Sequence, residues 1–297
     1  MSGTFIEPKK YELVLDDFIE ESGHRLFRIR ALINFGRVKA GDLGGYIEQE
    51  ENLSHLGSCW VYESARVLDK AQVFGKAEVL GNAYILGYAC VSGEACVSGD
   101  ARILGNAKIL EQAWVSENAQ VLESAQVLGK AWVSGNACVS GKGQVSGDAH
   151  IAGNAHISGH ACVSGKARLW EQACVSDEAR VSGKAWISGH ACVSDEAQVF
   201  GQVKVSGRTH LSGTARVSSD QDFIDFFPFH DIAFLVYRTR SGGIEVKHKP
   251  FCGTPEAFLK NVAQQYGDEA VTQEYQQWIE FAQRRLQTNN SLQEAAA

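Results

Sequence analysis

The residues of this sequence best suited to chemistry are its nine His and eight Cys, and many of them recur at intervals of 6 or 18. The segment Asp148 to His160 holds His150, His156 and His160. The ordinary pKa of histidine lies near neutrality, so a general base is sought here first. His150 leads, because the residues 18 before and after it are Trp132 and Arg168, and Trp186 follows 18 further on. If residues 18 apart lie side by side, these four form a ligand or partner surface with His150 as its polar centre. The plainer reading is that the rings stack on one another or sit under the C-terminal domain. A second series, Cys138, His156, Cys174, Cys192 and His210, carries metal-ligand residue types at the same spacing. A straight ladder with steps of about 4.8 Å cannot wrap four donors around one ion, so no metal site is expected. Parallel Cβ directions at Cys174 and Cys192 also disfavour a disulfide. Asn82, Asp100, Asn118, Asn136 and Asn154 follow the same interval and read as turn residues bonded along a stack.

One element must position all of these. From Val61 to Val217 every sixth residue is Val, Ile or Leu, which makes 27 uninterrupted hexads. The fourth residue after each aliphatic is small, nearly always Ala; Gly143, Val203 and Thr209 depart from this. A period of six does not suit a helix, whose apolar positions fall three and four apart. It suits a short strand followed by a tight corner. The aliphatic and the Ala two residues before it share the inward face, and the residue between them points outward. Gly at the corner takes a positive φ without steric cost. Three such sides close an 18-residue coil, and 27 hexads give about nine coils.

Composition agrees with one large repeat region flanked by smaller segments. The chain has 297 residues, 30 Gly, only 4 Pro and a net charge of −7. A general nucleic-acid binder should be basic on some face, which disfavours that class. No Gly-rich nucleotide loop leads from a strand into a helix. Met1 to Lys10 lacks an apolar secretory core, and no run reaches the ~18 apolar residues of a membrane span. The expected location is the cytoplasm, away from membranes, with reduced thiols.

Residues 1–52 lack the period and read as an N-terminal β cap. Its strands are expected at Tyr11–Leu15 and His24–Ile33, with a turn from Ala40 to Gly45. Residues 53–220 are read as the β-helix, with Leu53 to Trp60 a transitional coil because His55 sits where an aliphatic belongs. Residues 221–297 are read as a small α+β domain. An aromatic linker of Phe223, Phe226, Phe227, Pro228 and Phe229 could cover the end of the coils. Strands follow at Ile232–Arg238 and Ile244–His248 around Ser241-Gly242-Gly243, a hairpin signal. Thr254-Pro255 starts a helix that Gly267 stops, and a second is expected over about Asp268–Thr288. Its apolar face (Val271, Tyr275, Trp278, Ala282, Leu286) should pack on the side of the β-helix or on a second subunit. In the early coils Leu68, Leu86, Leu104 and Leu122 line up as an apolar stripe that calls for a cover from the C-terminal helices or another subunit.

The aliphatic and small residues of the hexads resemble the hexapeptide-repeat proteins. That resemblance implies a mainly β, single-stranded, left-handed parallel β-helix. Outside the hexads, Gly41-Asp42-Leu43-Gly44-Gly45, Asn52-Leu53-Ser54, Cys59-Trp60-Val61 and Phe251-Cys252-Gly253-Thr254 are similar to the YdcK-type acetyltransferases of that family. The resemblance implies transfer of an acyl group from acyl-CoA, with acetyl-CoA the possible donor, to a hydroxyl or amine of an unspecified small molecule. The catalytic candidates it implies are His150, His156 and His160, and the donor contacts are Trp132, Arg168 and Trp186. It implies a donor substrate, no bound cofactor, and a homo-oligomer, dimer or trimer. One departure matters: such enzymes throw a long loop out of one corner to close the groove, and these hexads contain no insertion. The alternative is a noncatalytic β-helical scaffold or binding module that uses the Trp-rich side or the Leu stripe.

Overall fold

The structure is a computed structural model and describes residues 9–226, 234–248 and 250–294, with side chains described up to residue 286. The chain is mostly β: parallel stacked coils, followed by a small domain of two helices and an antiparallel sheet. Internal packing divides it into two compact units, residues 1–158 and 159–297.

The coils of both units follow from the hexad. Each hexad supplies a two-residue strand and a turn, as in Trp114–Val115, Gln120–Val121 and Gln126–Val127, the three sides of one coil. Within each unit, neighbouring coils pair in parallel at a spacing of 18 residues: in the first, Trp114 lies opposite Trp132, Gln120 opposite Cys138 and Gln126 opposite Gln144. The ladder bonds are regular, with Trp114 N–H donating to Ala131 O at 2.9 Å and Ser116 N–H to Val133 O at 2.9 Å. All 27 repeat aliphatics are buried, at no more than 1% exposure, so the coils of each unit have an apolar interior.

Corners need a left-handed residue. At Gly135, φ is 68°, and a Cβ there would lie 2.8 Å from the backbone N and O of Gly153. Several corners instead carry an acid with positive φ, among them Glu63, Glu111, Glu117, Glu171 and Asp195. Each of these five accepts the N–H of the glycine 18 residues on, at 2.6–2.9 Å. The carboxylate satisfies a corner donor that the backbone ladder leaves over, which offsets its conformational cost.

In the first unit, strands Tyr11–Glu21 and His24–Ala31 pair antiparallel, and Leu43–Ile47 joins the second of them. The turn expected over Ala40–Gly45 therefore ends at Asp42, and Gly44-Gly45 lie inside a strand. The reason is close approach: a Cβ on Gly45 would sit 2.5 Å from Ala65 O. That strand pairs in parallel with Arg66–Val67 and passes the ladder from cap to coil. Leu53, bridged to Val73 and fully buried, takes the aliphatic place that His55 cannot fill.

In the second unit, coils run from Cys162–Val163 to Arg216–Val217. Phe223–Phe226, Phe234–Arg238, Ile244–His248 and Phe251–Gly253 then form one antiparallel sheet in sequence order. Phe223 and Phe226 are thus strand residues; Phe227, Pro228, Phe229 and Ile232 lie outside the described residues. Helix α1 (Pro255–Tyr266) is capped by Thr254 and ended by left-handed Gly267. Helix α2 (Glu269–Glu294) runs past Thr288. Among the described residues, the apolar faces of α1 and α2 do not pack on the side of the second unit's coils. They close on the antiparallel sheet, where Phe234, Val236, Val246, Phe258, Ile279 and Leu286 form a buried core. Four strands give these helices the apolar partner that the hairpin expectation left out. A second contact ties the domain to the last coil, with Ala215 bridged to Thr239.

Candidate functional site

The Trp-bearing side of the first unit is a stack of Glu78, Cys96, Trp114, Trp132 and His150. The Trp114 and Trp132 rings stack at 5.6 Å and 20°, and Trp132 meets the His150 ring at 5.7 Å and 59°. Each indole N–H donates to a serine of the preceding coil, Trp114 to Ser98 and Trp132 to Ser116. The rings therefore cover one another's faces, and their edges meet solvent at 46% and 42% exposure. Trp60, which begins the same column, belongs to a different environment. It is buried under the cap against Tyr11 and Phe35.

His150 is half-buried, whereas His156 and His160 are exposed. His156 sits on the next side of the coil, opposite Cys138, so it does not share the ring stack. His160, Arg168 and Trp186 belong to the second unit. There Arg168 lies opposite Trp186, and the Lys204 ammonium stands 5.8 Å over the Trp186 ring. His160 is at a corner.

On the second side, Cys174 lies directly opposite Cys192, and Cys192 opposite His210. The hydrogen bond from Cys192 pulls the Cys174 thiol down to about 7, against burial and the Asp177 charge, which push it up. Cys96 shows the contrary case: burial and Glu78 push it up to about 11.

Two charged groupings were not legible in the sequence. His24, Glu48 and Asp69 converge where the cap meets the first coil. His24 Nδ1 lies 3.0 Å from Glu48 Oε1, and Glu48 Oε2 accepts the Asp69 N–H at 2.6 Å. The bond to Glu48 and its charge raise the His24 pKa. Burial works against ionised Glu48, but the bonds from His24 and the Asp69 N–H outweigh it and lower its pKa. Lys10 is buried, donating to Cys59 O at 2.8 Å and to Cys59 Sγ at 3.2 Å, 5.0 Å from the Phe35 ring centre. Burial lowers the Lys10 pKa and raises that of Cys59. Only the fold brings residues 10 and 59 together, so no spacing rule could have found this pair.

Two cavities stand out among the described residues. One of about 550 Å³ lies beside the cap, lined by Glu50, Leu53, His55 and Phe74 among others. The other, about 300 Å³, lies in the C-terminal domain among Arg238, Ile244, Thr254 and Leu286. Neither is lined by His150, His156 or His160. No described helix is long and apolar enough to cross a membrane. Comparison with models of protein families finds none that matches the chain, and comparison with curated proteins finds no significant match.

Proposed function

We propose that the protein is an acyltransferase that uses His150 as general base, working as a homo-oligomer in which a second copy completes the donor groove. The observation that carries this reading is the setting of His150. It is half-buried and held against Trp132 at 5.7 Å, a ring contact that His156 and His160 lack among the described residues. A positioned imidazole can take the proton of an acceptor hydroxyl or amine as that group attacks the acyl carbonyl of acetyl-CoA. The CoA thiolate then leaves from the tetrahedral intermediate. The strand N–H groups beside His150 are engaged with the neighbouring coil, as at Trp132 and Ser134. The oxyanion donor therefore comes from a corner N–H or from the second copy.

A second reading, the noncatalytic scaffold, is favoured by the 27 hexads without an insertion, which leave no loop to close a groove. On that reading the exposed Trp edges are a partner surface. Titration calorimetry with acetyl-CoA separates the two, run beside light scattering. The transferase reading expects an oligomer that binds the donor and loses it in Trp132→Ala. A folded protein that gives no heat at millimolar donor leaves the scaffold reading standing.

A further inference from the structure

The cysteines of the coils are not equivalent. Among all eight, only Cys174 and Cys192 are 18 residues apart. They are opposed in parallel register, with Cys174 N–H donating to Ala191 O at 2.9 Å. Both side chains are half-buried, so small solutes reach them. The ladder spacing is about 4.8 Å. Two metal–thiolate bonds of about 2.3 Å laid end to end span about 4.6 Å. A straight ladder that cannot surround an ion with four donors is therefore well matched to an ion that takes two donors in line. Such ions are soft and d¹⁰, and thiolate is the ligand they select. His210, next on the same side with Nε2 3.0 Å from Ser194 Oγ, adds an imidazole at one end of the pair.

We propose that Cys174 and Cys192 form a two-coordinate site for a soft monovalent cation of the copper(I) class. The cation replaces both thiol protons, one from each sulfur, and no electron is transferred. The site is independent of acyl transfer and lies wholly in the second unit.

The test uses the reduced full-length protein under anaerobic conditions, with copper(I) supplied as its coloured bicinchoninate complex. The protein is expected to withdraw a single equivalent, and X-ray absorption is expected to show two sulfur neighbours. Cys174→Ser and Cys192→Ser should each weaken retention at least about 100-fold. Cys138→Ser, on the same side but with no cysteine 18 residues away, should retain copper as the parent does. Zinc(II) should not be held, because it seeks four donors. Three results overturn the proposal: no withdrawal by protein with native circular dichroism, unchanged retention in a Cys174→Ser, Cys192→Ser double variant, or zinc held as well as copper.

Discussion

The corner carboxylates make a sharp prediction at Glu117. Its backbone is left-handed, with φ 59°, and its Oε2 accepts the Gly135 N–H at 2.6 Å. Glu117→Ala keeps the left-handed backbone and loses the bond. Charge-assisted bonds reach about 1.5–3 kcal/mol, but this carboxylate is exposed, which reduces the loss to about 0.5–1 kcal/mol. Glu117→Gly loses the same bond but relieves about 1 kcal/mol of left-handed strain, net of the extra freedom of glycine in the unfolded chain. The glycine variant should therefore fall within about 0.5 kcal/mol of the parent, with alanine the least stable of the three. Repeat arrays open locally, so hydrogen exchange is the proper assay. The Gly135 amide should exchange faster in both variants, but the flanking strand amides should lose protection, about 2–5-fold, only in Glu117→Ala. An alanine variant as protected as the parent, or a glycine variant worse than alanine, would refute the account of the corners.

Other consequences follow from the cap and the ring stack. His24 is held above its ordinary 6.5, so its contribution is complete below that pH and fades as pH rises through the raised value. Glu48 is held below 4.5, so its contribution is complete above that pH and fades as pH falls through the lowered value. Protection of the Asp69 amide, compared between parent and Glu48→Gln, should differ most between those limits; a difference flat with pH would contradict the pairing. Gly45→Ala places a methyl 2.5 Å from Ala65 O and should destabilise the cap by about 1–3 kcal/mol, seen as faster proteolysis within residues 10–50. Trp132→Ala removes two ring contacts worth about 1–2 kcal/mol together. It should also abolish the near-ultraviolet exciton signal of the stacked indoles, whereas Trp186→Ala, whose ring neighbour is Lys204, should leave that signal unchanged.

The coil was legible because its cause is local: each hexad carries its own inward aliphatic and its own corner. The Asn stack was legible for the same reason, and Asn82–Asp100, Asn118–Asn136 and Asn136–Asn154 are hydrogen-bonded as expected. Glu117 was not read as a corner residue, because its role depends on the N–H of Gly135 in the next coil. Gly44-Gly45 read as a turn, since glycine at a turn and glycine under a crossing backbone look alike in sequence. The partner of the C-terminal helices was missed because Phe223–Phe226 read as a linker. The Trp132–His150 contact was legible from spacing alone. The Lys10–Cys59 pair was not, because the cap has no period.

Chemistry in this fold therefore arises in columns. A residue's neighbours along the chain face other sides, while the residues 18 before and after it are its contacts. Position 144 shows the consequence: it lies one hexad before His150, yet it stands opposite Gln126 and away from both Trp114 and Trp132. A histidine moved there would keep the hexad pattern and the fold but lose its ring partner. The same reasoning separates Cys174 and Cys192 from Cys90, Cys96 and Cys162, which occupy the same slot in their hexads but face Lys108, Trp114 and Arg180. Candidate sites in such a chain are the places where two reactive residues coincide in one column. His150 over Trp132 and Cys174 over Cys192 are two such places, and each can be dismantled by one substitution that leaves the buried aliphatics of its own unit in place.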